Sequence, residues 1–181
     1  PIKSGAIIFD DQDVSRLDKQ GWREIRKNIQ IVFQDPLASL NPRMTVGENI
    51  AEPLVNLMPE LDESQRQVRV VESLVQVGLE PEHLNRYPHE FSGGQCQRVG
   101  IARALVVEPK LLICDEAVSA LDVSIQAQII ELLQKLQREL NLAILFIAHD
   151  LAVVKQISHK VVVMYLGKIM EQAPSGRLFD D

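Results

Sequence analysis

The sequence predicts an α/β fold in which a mostly parallel sheet carries a helical insertion. Two short apolar runs, residues 111–114 and 142–148, flank an amphipathic segment, and such alternation of strand and helix favours parallel strands. Residues 35–105 contain no strong strand pattern and show helical periodicity instead. We therefore expect residues 1–34 and 106–181 to form one layered core, and residues 35–105 to form a helical subdomain.

Composition is that of an ordinary globular protein. The chain has 181 residues, of which 46% are hydrophobic, enough for one domain with a packed core. A net charge of −6 argues against duplex DNA or an anionic lipid surface as the main partner, and 4% aromatic residues argue against a base-stacking platform. Cys96 and Cys114 do not form a Cys-x-x-Cys pair, which fits a reducing compartment. No apolar stretch approaches the length of about eighteen residues that a membrane span requires.

The N-terminal part is expected to contribute two strands and one helix to the core. The strands are residues 5–9 and 29–33, and the helix is residues 18–27. The second strand should be buried, because it is short and rich in β-branched residues. Gln34-Asp35-Pro36 ends it, and residues 37–43 are expected to be a loop, since Asn41-Pro42 is typical of turns.

Three helices are expected in the helical subdomain, and each begins at a capping residue. Thr45-x-x-Glu48 resembles a capping box and starts the first, which Pro53 should kink or shorten. Asp62-x-x-Gln65 starts the second, which stops at Gly78. Their expected apolar faces are Ile50, Leu54, Leu57 and Met58 in the first, and Val68, Val71, Leu74 and Val75 in the second. Residues 81–84 add one turn, and the third helix runs from Ser92 to about residue 107.

The C-terminal part alternates between helix and strand. Residues 124–140 should form a helix whose apolar face comprises Ile125, Ile129, Leu132, Leu133, Leu136 and Leu140. The near-continuous apolar run 142–148 is typical of a strand that is covered on both faces. Asp150 caps a short helix that reaches residue 157, and two further strands, 160–165 and 168–171, meet at Leu166-Gly167.

The segment Ser92-Gly93-Gly94-Gln95 has two interpretations. Its Ser-x-x-Gln spacing is that of a capping box, so it marks the start of a helix. The free amides and the dipole of a helix start also favour a phosphate group, and glycine lets the backbone approach that group closely. Gln95 adds a neutral side-chain donor. The segment alone does not decide between a simple cap and an anion site.

Paired acids follow the first of the two apolar runs. Asp115 and Glu116 mark either the point where a strand meets water or a site for phosphoryl-transfer chemistry. That chemistry needs a carboxylate for Mg²⁺ at the end of a buried strand, and Asp115 has this position. Glu116, one residue further on, points in a different direction from Asp115 and can polarise an attacking water. General-base assistance of this kind accelerates a reaction by roughly 10²–10⁴-fold.

Polar residues also follow the other two predicted core strands. Considered without the other motifs, Gln34 would be interpreted as a turn residue and His149 as a structural histidine at a strand end. In a parallel sheet, however, these residues and the paired acids all lie at the carboxyl edge, where open α/β sheets bind their ligands. Asp122 has a plain interpretation as the cap of the following helix. His83 and His89 have no partners at metal-ligand spacing.

Taken together, these motifs resemble those of the ATP-binding subunits of ABC transporters. Phe33-Gln34 resembles the Q-loop, Phe91-Ser92-Gly93-Gly94-Gln95 the signature motif, and residues 111–115 the Walker B strand. Glu116 then has the position of the catalytic base, Ser119-Ala120-Leu121-Asp122 resembles the D-loop, and His149 the switch histidine. The resemblance covers nearly the whole chain, and the order and intervals of the motifs are far more specific than any one of them.

A narrower resemblance is to the oligopeptide and dipeptide importer branch of that family. It rests on Phe33-Gln34-Asp35-Pro36, Leu40-Asn41-Pro42-Arg43-Met44-Thr45, Arg86-Tyr87-Pro88-His89-Glu90-Phe91 and Ser119-Ala120-Leu121-Asp122-Val123-Ser124. Within that branch, Gln95-Cys96-Gln97-Arg98 and Ile113-Cys114-Asp115-Glu116-Ala117-Val118 are similar to the second ATPase subunit of oligopeptide importers.

The resemblance implies a P-loop NTPase core that uses ATP and Mg²⁺. Two such subunits would close head to tail around ATP, with Ser92-Gly93-Gly94 of one contacting the γ-phosphate held by the other. The implied ATP-binding residues are Ser92, Gly93, Gly94, Gln95, Gln34 and Asp122. Asp115 and Gln34 would serve Mg²⁺, Glu116 would activate the water, and His149 would touch the γ-phosphate.

The resemblance also implies an activity, partners and a location. The activity is ATP hydrolysis coupled to peptide uptake. The partners are a second ATP-binding subunit of the same or a different kind, transmembrane permease subunits and a periplasmic or extracellular peptide-binding protein; no nucleic acid is expected. The location is the cytoplasmic face of the bacterial inner membrane, where the subunit would be held peripherally.

The Walker A loop of the family does not occur in the sequence, since no Gly-x-x-x-x-Gly-Lys-Ser/Thr pattern is present. We therefore expect a chain that is cut before Pro1, and also after Asp181, and that is inactive as a fragment. Two alternatives remain. One is a degenerate ABC module that serves only a partner's ATP site. The other is a non-transport ABC ATPase, which the short interval between Gln34 and Ser92 disfavours because it lacks sustained heptads.

The 181 residues alone are expected to bind ATP weakly, because they lack the lysine and the phosphate-cradling amides of a Walker A loop. Isothermal titration calorimetry of the isolated chain with Mg-ATP should detect no micromolar binding. A micromolar dissociation constant would contradict this expectation.

Overall fold

The N-terminal part contributes a small hairpin, one helix and one core strand. The structure, a computed structural model, describes residues 5–180. Strands β1 (Ile8–Phe9) and β2 (Gln12–Asp13) pair antiparallel, and helix α1 (Lys19–Asn28) leads directly into strand β3 (Ile29–Val32). Asp18 begins α1 as its N-cap, because its Oδ1 accepts a hydrogen bond from the Gly21 amide at 2.8 Å. The first predicted strand is therefore only two residues long.

The helical region contains four helices and two short 3₁₀ turns. The helices are α2 (Pro36–Ser39), α3 (Val46–Leu57), α4 (Glu63–Gln76) and α5 (Gly93–Leu105), and the turns are Pro81–Asn85 and Pro88–Glu90. All three predicted capping residues start helices: Thr45 caps α3, Asp62 caps α4 and Ser92 caps α5, each in a reciprocal capping box.

Helix α2 occupies a segment for which the sequence predicts a loop. Asp35 caps it, because its Oδ1 accepts from the Ala38 amide at 3.0 Å, and Pro36 occupies the first helical position. The pair Asp35-Pro36 ends the preceding strand, as predicted, but it is also the combination of N-cap and N1 residue that begins helices. The prediction of a loop over residues 37–43 is therefore wrong for its first half.

Helix α3 continues through Pro53 to Leu57, so the predicted shortening is wrong. Ile50 and Leu54, on either side of the proline, are fully buried. Burial of two such side chains contributes about 1.5–3 kcal/mol each, which offsets the roughly 3 kcal/mol that a proline costs inside a helix.

The buried face of helix α4 differs from the predicted one. Val70, Leu74 and Val77 are buried, whereas Val68 and Val75 are 54% and 52% exposed. The buried set has the spacing i, i+4, i+7 and therefore lies on one helical face. Valines occur on both sides of this helix, so periodicity alone does not identify the side that meets α3 and α5.

The C-terminal part supplies two core strands, three helices and a hairpin. They are β4 (Leu111–Asp115), α6 (Val123–Glu139), β5 (Ala143–Ile147), α7 (Leu151–Ile157), β6 (Lys160–Tyr165), β7 (Lys168–Pro174) and α8 (Ser175–Asp180). Strands β3, β4 and β5 form a parallel sheet with β4 in the centre, as the alternation predicts. Strands β6 and β7 pair antiparallel across Leu166-Gly167, whose φ angles of 48° and 74° suit a tight hairpin turn.

The central sheet buries one face and leaves the other partly open. Val32, Leu112 and Cys114 lie on the buried face, and burial raises the pKa of the Cys114 thiol to about 12, so it remains neutral. On the other face Leu145 is 51% and Ile147 45% exposed. The prediction that residues 142–148 are covered on both faces is therefore wrong within the described part of the chain.

Asn49 fixes the loop between α2 and α3. Its side chain is fully buried and bonds only to backbone groups. Oδ1 accepts from the Asn41 amide at 2.8 Å, and Nδ2 donates to the carbonyls of Asn41, Met44 and Thr45 at 3.1, 3.1 and 2.9 Å. One side chain thus bonds four backbone groups of this loop.

Replacing Asn49 by alanine should lower the free energy of unfolding by about 3 kcal/mol or more, because each buried group left without a partner costs about 1–3 kcal/mol. Urea denaturation of the protein measures the change. The control is Asn56→Ala, at an exposed position of the same helix, which should change stability by less than about 0.5 kcal/mol. Equal effects of the two substitutions would contradict the role assigned to Asn49.

Candidate functional site

The register of the parallel sheet aligns three polar strand ends. Val32 lies opposite Cys114, and Asp115 lies opposite Ile147. Gln34, Asp115 with Glu116, and His149 therefore all follow their strands at the same carboxyl edge. This is the edge at which open parallel sheets bind ligands.

Glu116 and His149 are in direct contact at this edge. Glu116 Oε1 lies 3.4 Å from His149 Nδ1. The Glu116 amide donates to the carbonyl of Ile147 at 3.0 Å, which continues the ladder of β4 and β5 by one residue. Two neighbouring strand ends thus bring a carboxylate and an imidazole to the same point.

The backbone of Glu116 has a left-handed conformation. Its φ angle is +48°, a region that non-glycine residues rarely adopt and that costs of order 1–3 kcal/mol. The Ser119 amide and hydroxyl both donate to the Glu116 carbonyl, at 3.0 and 2.9 Å, and hold the turn that follows. The sequence analysis placed Ser119 in the segment that resembles the D-loop but did not predict this contact, for which the only signal is a serine three residues after Glu116.

A small cavity lies beside the contact between Glu116 and His149. It has a volume of about 60 Å³, and Ser119 and Asp150 also line it. This is room for a few water molecules and far too little for a nucleotide. A nucleotide at this edge would therefore have to bind outside this cavity.

Asp115 is exposed at the end of β4, and Gln34 is exposed two residues beyond the end of β3. Within residues 5–180, no cluster of three or more His, Cys, Asp or Glu side chains has the geometry of a metal site. A carboxylate and an amide oxygen at neighbouring strand ends are nevertheless donor types that suit Mg²⁺, which takes few protein ligands and completes its shell with phosphate oxygens and water. The chemistry of these two side chains is therefore compatible with magnesium bound together with a nucleotide.

The segment Ser92-Gly93-Gly94-Gln95 forms the start of α5. Gln95 N donates to Ser92 Oγ at 3.3 Å, and Ser92 N donates to Gln95 Oε1 at 3.0 Å. The capping-box interpretation is therefore correct. The cap uses the two side-chain oxygens as acceptors, so the Ser92 hydroxyl proton and the Gln95 amide protons are not consumed by it.

Gly94 has a packing role in addition to any role in anion binding. A Cβ atom at Gly94 would lie 2.5 Å from Cγ2 of Ile125 in α6, which is too close for any real contact. Gly93 neighbours Leu121, since a Cβ there would lie 3.5 Å from its side chain. The start of α5 therefore packs against the start of α6.

Asp122 is the N-cap of α6, as its plain interpretation predicts. Its Oδ1 accepts from the Ser124 hydroxyl at 2.7 Å and from the Ile125 amide at 3.1 Å. These two bonds, the hydroxyl first, lower the pKa of Asp122, so its carboxyl is ionised at neutral pH.

The predicted site residues thus fall into two groups. The strand-end group comprises Gln34, Asp115, Glu116 and His149, and the helix-start group comprises Ser92, Gly93, Gly94, Gln95 and Asp122. The turn from Glu116 to Asp122 connects the groups along the chain.

Two further histidines, His83 and His89, have local structural roles. His83 Nδ1 accepts from the Glu80 amide at 3.0 Å, and its ring meets the edge of Phe91. His89 stacks on Tyr87. Both histidines therefore make contacts within the segment that precedes α5.

Comparison with known proteins identifies the family. The family model described as "ABC transporter" matches residues 1–119. The chain belongs to the ABC transporter family. Its structure agrees, because cbiO1 from Clostridium perfringens, a part of the ABC transporter complex cbiONQ, superposes with a TM-score of 0.88 at 34% identity, covering 99% of this chain and 69% of that one. The P-loop NTPase fold class predicted from the resemblance is thereby confirmed.

A second solved structure shows the same fold. The dimeric ATP-binding cassette MJ0796 in a post-hydrolysis state, bound to ADP and Pi, superposes with a TM-score of 0.82 at 29% identity, covering 96% of this chain and 74% of that one. The likeness reaches across the described core and the helical region alike.

Several curated relatives are named as oligopeptide transport ATP-binding proteins. The oligopeptide transport ATP-binding protein OppF of Escherichia coli is 65% identical over 167 residues, which is 92% of this chain and 50% of that protein. AppF of Bacillus subtilis, also an oligopeptide transport ATP-binding protein, is 56% identical over 178 residues, covering 98% of this chain and 54% of that protein. The chain thus spans about half the length of the curated relatives it matches. No helix among residues 5–180 has both the length and the apolar character needed to cross a membrane.

Gly94→Ala should lower the free energy of unfolding by about 1–3 kcal/mol, because the added methyl group overlaps Ile125. Thermal denaturation followed by circular dichroism measures the change.

The matched control is Gly100→Ala in the same helix. No atom lies within 4 Å of a Cβ built at Gly100, so alanine should be neutral or stabilise by up to about 1 kcal/mol. If Gly94→Ala were as stable as Gly100→Ala, the packing role of Gly94 would be refuted.

Proposed function

We propose that the chain belongs to an ATP-hydrolysing subunit that drives peptide import through an ABC transporter. The observation that carries this proposal is the meeting of a carboxylate and an imidazole, Glu116 and His149, beside Asp115 at the carboxyl edge of a parallel sheet. In this view residues 1–34 and 106–181 belong to the ATPase core, and residues 35–105 form the helical subdomain.

Asp115 and Gln34 are proposed to hold Mg²⁺ together with the phosphates of ATP. Bound Mg²⁺ would neutralise negative charge on the phosphates and orient them for in-line attack. Asp115 supplies the charged oxygen from the end of the central strand, and Gln34 supplies a neutral oxygen from the neighbouring strand end. Neither side chain is buried, so both are accessible to a ligand.

Glu116 is proposed to be the general base. Its carboxylate lines the cavity that has room for water, and from there it can take a proton from the water that attacks the γ-phosphate. The left-handed backbone and the contacts from Ile147 and Ser119 support this role, because they fix the direction of the side chain before a ligand binds.

His149 is proposed to contact the γ-phosphate. Its Nδ1 faces Glu116, so Nε2 is the ring nitrogen left for a phosphate oxygen. A ring that lies between the Glu116 carboxylate and the phosphate would connect the base to the group that it acts on.

The helix-start group is proposed to serve ATP that is held by a second ATP-binding subunit. Ser92 is exposed and begins α5, where amide groups and the helix dipole favour a phosphate. Gln95 and Asp122 flank the same surface. The dimeric state of the MJ0796 cassette supports a pair of subunits.

Peptide import rests on the relatives, several of which are named oligopeptide transport ATP-binding proteins, while others are named glutathione import ATP-binding proteins. We infer that the transported molecule is a peptide. The partners would be transmembrane permease subunits and an external peptide-binding protein, and the subunit would lie on the cytoplasmic face of the bacterial inner membrane.

Glu116→Gln in the full-length protein that contains this chain, assembled with its partners, should lower the turnover number for ATP by about 10²–10⁴-fold and leave ATP binding intact, because glutamine keeps the shape but cannot accept the proton. Phosphate release and equilibrium ATP binding are the two measurements. Glu131→Gln, at an exposed position on α6, is the control and should turn over like the unmodified protein. Unchanged turnover in Glu116→Gln would remove the proposed base.

A further inference from the structure

Arg103 links the helix that begins at Ser92 to the segment that follows Gln34. It lies near the end of α5, and its Nη1 donates a hydrogen bond to the carbonyl oxygen of Ser39 at 2.5 Å. Ser39 is the last residue of α2, and α2 begins at Pro36, two residues after Gln34. A single side chain thus connects the two groups of candidate site residues through the helical region.

The hydrogen bond between Arg103 and Ser39 joins a cation to the negative end of a helix. The C-terminal carbonyls of a helix have no partner within the helix and carry partial negative charge. The guanidinium of Arg103 is half-buried; desolvation lowers its pKa, and the nearby Glu52 carboxylate opposes that shift. A partly desolvated cation on a carbonyl forms a stronger and more directional bond than one in water.

Helix α2 is short but internally well bonded, so it can transmit a displacement. At its start the Asp35 carboxylate accepts from Ala38, and the Asp35 carbonyl accepts from the Ser39 amide at 3.1 Å. The Ser39 hydroxyl also donates to the carbonyl of Pro36 at 2.9 Å. Ser39 is therefore bonded both to Arg103 and to Asp35, the residue next to Gln34.

The chain on the far side of α2 is held independently. Asn49 bonds the backbone of Asn41, Met44 and Thr45 to α3. Loss of the Arg103 bond would leave this loop in place but weaken the attachment of α2 to α5, so that α2 could shift. The displacement would then fall on the exposed segment that contains Gln34.

We propose that Arg103 is a positioning residue that sets the place of Gln34 relative to Asp115 and Glu116. The proposal rests on the proposed function, because Gln34 is the residue through which Arg103 acts. Arg103 does not touch the nucleotide; its loss should lower the rate of the chemical step and leave nucleotide affinity nearly unchanged.

A double-mutant cycle tests this directly. The variants are Arg103→Met, Gln34→Ala and the double variant, each in the full-length protein assembled with its partners. Arg103→Met should lower kcat for ATP by about tenfold, since a misplacement of about 1 Å costs up to about 10²-fold, and should change KM by less than about twofold. In the Gln34→Ala background, Arg103→Met should have no further effect on kcat.

Two further variants separate this role from general stabilisation. Arg103→Lys keeps the charge and should recover part of kcat. Arg69→Met is the matched control, because it removes another arginine contact of the helical region, the ion pair with Glu108 at 3.5 Å, at a place remote in sequence from Gln34. Arg69→Met should leave kcat unchanged.

The inference is overturned if folded Arg103→Met turns over ATP like the unmodified protein, or if its effect multiplies fully with that of Gln34→Ala. If Arg103→Met does not fold, Arg103→Gln, which also removes the charge, takes its place in the same cycle and is judged by the same criteria. Failure of the proposed function would give a different result: the unmodified protein would not hydrolyse ATP, or Glu116→Gln would not slow the hydrolysis.

Discussion

The parallel register of β3, β4 and β5 is the constraint on which the rest of the structure depends. Alternate residues of the central strand, Leu112 and Cys114, are fully buried, so a slip by one residue would bury Asp115 and expose them. An unpaired carboxylate in that core would be far costlier than the correct pairing. The apolar side chains beneath the sheet thereby determine where Gln34, the paired acids and His149 lie above its edge.

Helix α5 fixes the position of the helical region relative to the core. Its start packs on α6 through Gly94 and Ile125. Further along, Arg98 donates to the carbonyl of Val77 at the end of α4, at 2.6 Å, just as Arg103 donates to the end of α2. One helix therefore caps two others with its arginines while its own first turn forms part of the candidate site.

Local interactions explain which features could be predicted from the sequence. The capping boxes at Thr45, Asp62 and Ser92 involve residues three apart, and each was recognisable from those residues alone. The order of the strand-end motifs identified the family and the edge of the sheet. Features that depend on tertiary packing were missed: the buried side of α4, the open face of β5 and the continuation of α3 through Pro53. The left-handed backbone of Glu116 and its contact with His149 also depend on neighbouring strands.

The central claim is that the strand ends at one edge of the sheet form a single metal-nucleotide site. Anomalous diffraction from Mn²⁺ in crystals of the full-length protein with ATP tests it most directly. We expect one peak within about 5 Å of both the Asp115 carboxylate and the Gln34 amide, the distance of a direct or water-bridged ligand. A nucleotide-bound peak more than about 10 Å from both side chains would contradict the account.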